Sequence, residues 1–185
     1  MRQNFGPKPI LYPQPVFILA AYNADGTPNA MNAAWGGISD SDEVTLCISA
    51  EHKTTAALLA RGAFTVSMGT EETVIPCDYV GVISGNDVPD KLEKAGFHTE
   101  KSAFVDAPLI LELPMAVECE LKRYDPESGC LVGRVVNVCA DERVLTDGKI
   151  DPAKLKPIIF DGANMTYMGL GKVVGQAFSD GMKLK

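Results

Sequence analysis

The feature that most constrains this chain is its punctuation: short apolar runs are cut again and again by Pro, Gly, Asn and Asp. Runs this short suit strands, because a buried helix needs about ten residues or more. Pro13-Gln14-Pro15 leads into Val16-Phe17-Ile18-Leu19-Ala20-Ala21-Tyr22, an unbroken apolar run that fits a buried strand. Asn23-Ala24-Asp25-Gly26-Thr27-Pro28 follows as a turn in which Asp-Gly favours positive φ. A hairpin to a second strand over residues 29–37 is expected. Residues 44–49 alternate and are rich in β-branched side chains, which predicts a third strand. Further strands are expected at 64–68, 109–113, 115–122, 131–140 and 158–160. Two helices interrupt them. One covers 54–62, with a threonine to cap it, Arg61 in the last turn and Gly62 at the exit. The other covers 89–96, with Pro early and Gly late. Many strands with a few short helices predict a mainly β fold, a barrel or sandwich, as one domain over residues 1–185.

The 185 residues are 46% hydrophobic and 22% charged, the balance of a globular domain with a sizeable core. Seventeen basic against 24 acidic side chains leave a net charge of −7, which argues against a nucleic-acid partner. No run approaches the roughly 18 apolar residues of a membrane span, and no apolar segment follows Arg2 as in a secretory leader. A cytoplasmic chain without a membrane partner is expected. The five cysteines show no C-x-x-C and no metal spacing, and only His52 and His98 could join them. Reduced buried thiols and no metal are expected.

Three segments could carry chemistry. Asn29-Ala30-Met31-Asn32-Ala33-Ala34-Trp35-Gly36-Gly37 is poor in bulk for a strand, and small residues let a flat ligand lie against the backbone. The same pattern fits a strand crossing a tight barrel with Trp35 in the core. Ser49-Ala50-Glu51-His52-Lys53-Thr54-Thr55 joins a strand to a helix start, where free amides, hydroxyls and Lys53 suit a single phosphate. A plain threonine cap with His52 and Lys53 in solvent fits equally. In Ser84-Gly85-Asn86-Asp87-Val88-Pro89-Asp90-Lys91, a lysine in the first turn of a helix opposes the helix dipole. It points either to an electron-rich partner or to a surface ion pair. There is no G-x-G-x-x-G after a strand, no P-loop and no G-x-S-x-G.

Taken in order, several segments resemble the flavin reductase-like family of FMN-binding split barrels, of which flavoredoxin is a member. They are Tyr12-Pro13-Gln14-Pro15-Val16, residues 26–35, Ser49 to Thr55, and Gly62-Ala63-Phe64-Thr65-Val66. Ser84-Gly85 with Asp90-Lys91, residues 107–112 leading to Val117-Glu118-Cys119, and Gly133-Arg134-Val135-Val136 complete the set. The resemblance implies a Greek-key split barrel that forms a homodimer and binds FMN non-covalently near the subunit interface. It implies that Met31, Asn32, Ala33, Ala34 and Trp35 lie along the flavin ring, with Asn29 also among the cofactor-binding residues. Ser49, Ala50 and the His52-Lys53-Thr54-Thr55 turn would hold the ribityl chain and phosphate, with Ser84 beside them, and Lys91 would sit near the reactive edge of the ring. No side chain is expected to be strictly catalytic, because the cofactor carries the redox chemistry. Asn32 stands where relatives commonly carry Thr, and the phosphate turn lacks their arginine; altered affinity or potential is expected.

The expected activity is an NAD(P)H-dependent flavin reductase, with NADH or NADPH as electron donor. The alternative is a flavoredoxin-type electron carrier that keeps its FMN and meets a redox protein partner. A third is a barrel for a non-flavin ligand such as pyridoxal phosphate or haem.

Overall fold

A computed structural model describes all residues, Met1–Lys185. The strands are β1 (Gln14–Pro15), β2 (Phe17–Tyr22), β3 (Pro28–Ala33), β4 (Gly36–Asp40), β5 (Glu43–Cys47) and β6 (Ala63–Met68). They continue with β7 (Thr99–Lys101), β8 (Pro108–Ile110), β9 (Met115–Asp125), β10 (Cys130–Ala140), β11 (Leu145–Thr146), β12 (Lys149–Ile150), β13 (Ile158–Asp161) and β14 (Thr166–Gly169). The helices are α1 (Lys53–Arg61), α2 (Val74–Val82), α3 (Lys91–Lys94) and α4 (Pro152–Leu155).

Seven strands form one sheet in the order β3-β2-β6-β9-β10-β5-β4. Every pairing in it is antiparallel. The two edge strands are consecutive in the chain, joined only by Ala34 and Trp35. Laid flat, seven strands would hold their edges about 29 Å apart at about 4.8 Å per gap. From Ala33 to Gly36 the backbone reaches no more than about 11 Å. The sheet must therefore curl until its edges meet, which makes a barrel with a seam at Ala34-Trp35.

The inside of the barrel is packed by Leu19, Ala33, Val44, Leu46, Leu58, Phe64, Val66, Val117 and Leu131, with α1 closing one end. A second cluster, Ile18, Ala20, Ala30, Cys77, Val80, Leu92 and Phe97, lies under α2 and α3 on the outer face of β2 and β3. Alternate residues of β2 thus face two cores, and this is why its sequence is an unbroken apolar run. The β2–β3 hairpin turns as predicted at Gly26, with φ +86°.

Three expectations need correction. The strand predicted over 29–37 is two strands, because the chain changes sheet edge at the seam. Trp35 is not a core residue; it is 55% exposed. Helix α2 was not predicted, since Val, Ile, Pro76 and Gly81 are poor helix formers. Pro76 falls in the first turn, where its missing N–H costs nothing. Gly81 is needed for contact: a Cβ there would stand 2.8 Å from the Asn32 Cβ. Packing of Cys77 and Val80 against β3 outweighs propensity.

Candidate functional site

A cleft of about 650 Å³ opens along the seam, within the size range of cofactor sites. Met31, Asn32, Ala33, Ala34 and Trp35 form one wall. Cys47, Ile48, Ser49, Ala50, Glu51 and His52 form the second, and the β9–β10 turn Pro126-Glu127-Ser128-Gly129 closes the third side. Gly36 sets the path of Trp35, because a Cβ at 36 would stand 2.6 Å from the Thr45 carbonyl oxygen and 2.5 Å from Leu46 Cδ2. Asn32 donates from Nδ2 to the Cys77 carbonyl at 3.2 Å, which ties the small-residue wall to α2.

The second wall is pinned at several points. Thr55 Oγ1 donates to the Ser49 carbonyl at 2.7 Å, and the Glu51 amide donates to Ser49 Oγ at 3.2 Å. Tyr124 Oη donates to the Ile48 carbonyl at 3.1 Å. No side chain caps α1: Thr54 and Thr55 are buried within its first turn, and His52 occupies the cap position with extended backbone. Here the expected threonine cap is corrected. The amides of Lys53, Thr54 and Thr55 consequently have no backbone or side-chain acceptor. Such a helix start attracts an anion. Glu51 and Glu127 line the same cleft, and no Lys or Arg does, so amide dipoles rather than ammonium groups must serve any phosphate there.

Asn29, Lys53, Thr54, Thr55, Ser84 and Lys91 are not among the lining residues. Asn29, Thr54, Thr55 and Lys91 are buried behind the lining, Lys53 is half-buried beside them, and Ser84 is exposed. Asn29 Nδ2 donates to Thr54 Oγ1 at 2.7 Å in the buried interior. Lys53 Nζ donates to the Gly85 carbonyl at 2.9 Å, and Gly85 is held tight because a Cβ there would reach 2.5 Å from Asn29 Oδ1. Ser84 Oγ accepts from the Asn86 amide at 3.1 Å at the surface. Lys91 is only 3% exposed; its ammonium donates to the carbonyls of Val80 and Ile83, both at 3.0 Å, where α2 ends. Lys91 is therefore a buried clamp on α2 in this structure, neither at the cleft rim nor in a surface ion pair. Burial, reinforced by the neighbouring Lys53 charge, pulls its pKa from 10.5 down to about 8.

Sequence reasoning missed the turn 126–129 and a second, smaller pocket of about 310 Å³ behind Asn32-Ala33-Ala34. There Tyr167 donates from Oη to Asp78 Oδ1 at 2.7 Å, and burial with this carboxylate raises the phenol's pKa. Asp78 sits on the unpredicted α2 and Tyr167 on β14, so nothing local in the sequence linked them to β3. The cysteines also divide: Cys77 and Cys119 are buried as expected, but Cys47 is exposed and Cys130 and Cys139 are half-buried. No group of His, Cys, Asp and Glu is arranged to hold a metal ion, and no helix is long and apolar enough to cross a membrane.

A curled antiparallel barrel with a cleft along its seam defines a split-barrel ligand-binding domain. The chain belongs to the family described as "Flavin reductase like domain", whose model matches residues 10–163. Family membership supports a flavin-related oxidoreductase function. The chain is similar to the solved flavoredoxin of Desulfovibrio vulgaris (Miyazaki F), at 33% identity and TM-score 0.94, covering 98% of this chain and all of that one. A flavoredoxin from Methanosarcina acetivorans shares the fold at 23% identity and TM-score 0.89, with both chains fully covered. An uncharacterized protein of Aquifex aeolicus is 25% identical over 162 residues, 80% of this chain and 81% of that protein.

Proposed function

We propose that the seam cleft holds one FMN non-covalently and that the chain works as an NAD(P)H-dependent flavin reductase. The observation that carries this reading is a cleft with a wall of small side chains that ends at His52, the residue before a helix start whose first three amides are free. A flat ring and a single phosphate fit those two features. Bound FMN supplies the hydride and single-electron chemistry, which no side chain in the cleft can supply. Met31, Asn32, Ala33 and Ala34 lie along the ring and Trp35 flanks it. Ser49, Ala50, His52 and the amides of Lys53, Thr54 and Thr55 receive the ribityl chain and phosphate. Asn29, the Lys53 side chain and Lys91 act from behind, holding β3, α1 and the end of α2 in register, while Ser84 stands at the surface. A homodimer belongs to the same reading. Trp35 and Ile38 stand 55% and 72% exposed beside the cleft, and a second copy would cover them.

A second reading, an electron carrier that keeps its FMN and exchanges electrons with a protein partner, is supported by the full-length likeness to the Desulfovibrio flavoredoxin. One experiment separates the two. Flavin-free protein is loaded with FMN, dialysed, and mixed anaerobically with NADH or NADPH and excess flavin. Rapid nicotinamide oxidation supports the reductase. FMN retained through dialysis, slow nicotinamide oxidation and reduction by reduced ferredoxin support the carrier. Failure to take up FMN at all refutes both, and the absorption spectrum of the protein as purified then identifies a pyridoxal or haem ligand.

A further inference from the structure

Cys47 and Cys130 are direct partners on the adjacent antiparallel strands β5 and β10. Two hydrogen bonds define the kind of pairing. The Ile48 amide donates to the Gly129 carbonyl at 2.9 Å, so residues 48 and 129 form a hydrogen-bonded rung. The Cys47 amide points the other way, to the Trp35 carbonyl at 2.8 Å. Rungs alternate along an antiparallel ladder, so Cys47 and Cys130 form a non-hydrogen-bonded rung. In that class the Cα atoms lie about 4.5 Å apart with both side chains on one face. A disulfide requires Cα atoms about 4.4–6.8 Å apart.

The neighbouring rung, Leu46 with Leu131, points into the core. The two cysteines therefore point to the opposite side of the sheet. Cys47 is exposed and lines the cleft, Cys130 is half-buried beside it, and neither is bridged. The one polar contact of Cys47 Sγ is the Ser128 carbonyl at 3.6 Å, which leaves the sulfur free to turn.

We propose that Cys47 and Cys130 form a reversible cross-strand disulfide, making this wall of the cleft an exchange site for small, non-anionic disulfides. The more exposed Cys47 thiolate attacks one sulfur of the external disulfide. The new bond joins Cys47 to that half, and the other half leaves as a thiolate that takes up a proton. Cys130, having lost its proton to solvent, then attacks the Cys47 sulfur and expels the second half as a thiol. Two electrons and two protons pass in total from the protein to the external disulfide, which is reduced to two thiols. Glu51 and Glu127 line the approach, so a cationic reagent is favoured over an anionic one. The other three thiols are poorly placed to compete: burial pushes Cys77 and Cys139 up to about 11 and Cys119 up to about 12. The pairing is a property of the protein without flavin and stands independently of the function proposed above.

The test uses the reduced, flavin-free chain and cystamine. After equilibration the protein is unfolded in alkylating reagent and its mass and peptide map are measured. The expected result is loss of two of its five free thiols, one crosslink joining the Cys47 and Cys130 peptides, and no retained cysteamine. Cys130→Ser should instead hold one cysteamine on Cys47, because nothing resolves the mixed disulfide. Retention of all five thiols by the wild-type chain would overturn the proposal. So would a stable cysteamine adduct on wild-type Cys47, a crosslink through Cys77, Cys119 or Cys139, or an unmodified Cys130→Ser.

Discussion

Lys91→Met removes a buried charge while keeping much of the side-chain volume. Two effects oppose each other at neutral pH. The ammonium makes two hydrogen bonds, to the carbonyls of Val80 and Ile83, each worth about 1.5–3 kcal/mol when the donor is charged. Against them stands the cost of keeping a cation buried beside Lys53. The drop from the usual 10.5 to about 8 corresponds to about 3 kcal/mol, at about 1.36 kcal/mol for each pH unit. Methionine gives up the bonds, leaves two carbonyls without their donor and escapes the charge cost. The variant should be about 1–3 kcal/mol less stable at pH 7.

The pH dependence discriminates further. Because the folded value lies below the unfolded one, the unfolded chain binds more protons between about pH 8 and pH 10.5, and the wild type gains stability across that window. Below pH 8 the full charge cost is present; above pH 10.5 it has gone. Methionine cannot titrate, so the gap between wild type and variant should widen by about 3 kcal/mol from pH 7 to pH 10.5. Urea unfolding of both proteins at matched pH measures this gap, and contributions from the tyrosines and from lysines that do not neighbour Lys91 cancel in the difference. A gap that stays flat or narrows would refute the picture of Lys91 as a buried cation clamping α2.

Gly36→Ala should cost about 1–3 kcal/mol in urea unfolding, because its Cβ meets the Thr45 carbonyl oxygen at 2.6 Å, and it should weaken flavin binding by displacing Trp35. Trp35 is the only tryptophan, so FMN titrated into flavin-free protein should quench most of the tryptophan emission; unchanged emission alongside flavin uptake would place the ring elsewhere. Ser102→Ala should cost about 2–3 kcal/mol by chemical unfolding. The Ser102 hydroxyl donates to the buried carboxylate of Glu118 and accepts from the amides of Phe104 and Val105, and its loss leaves Glu118 accepting from Asn137 Nδ2 at 2.6 Å. A cost below about 0.5 kcal/mol would mean that Glu118 finds another donor.

What the sequence determined by itself was local and periodic. The unbroken run of β2, the Asp25-Gly26 turn, the alternation in β5 and the αL exit of α1 at Gly62 each follow from a few neighbouring side chains. The ordered set of segments was enough to suggest the family, and with it a site over Met31 to Trp35 and Ser49 to Thr55 with Lys91. The structure brings Met31 to Trp35, Ser49, Ala50 and His52 to one cleft and leaves Lys53, Thr54, Thr55 and Lys91 outside its lining. Tertiary structure decided the rest, because it depends on contacts between residues far apart in the chain. Helix α2 forms against its own propensity because β3 offers it an apolar face. Lys91 opposes a local dipole because the carbonyls it serves belong to another helix. The strand through Ala34 and Trp35 had to break because seven antiparallel strands place its two halves on opposite edges. Closing that gap is what makes the cleft, while the separate pairing of β5 with β10 inside the sheet sets Cys47 opposite Cys130, two residues 83 positions apart whose pairing no local pattern records.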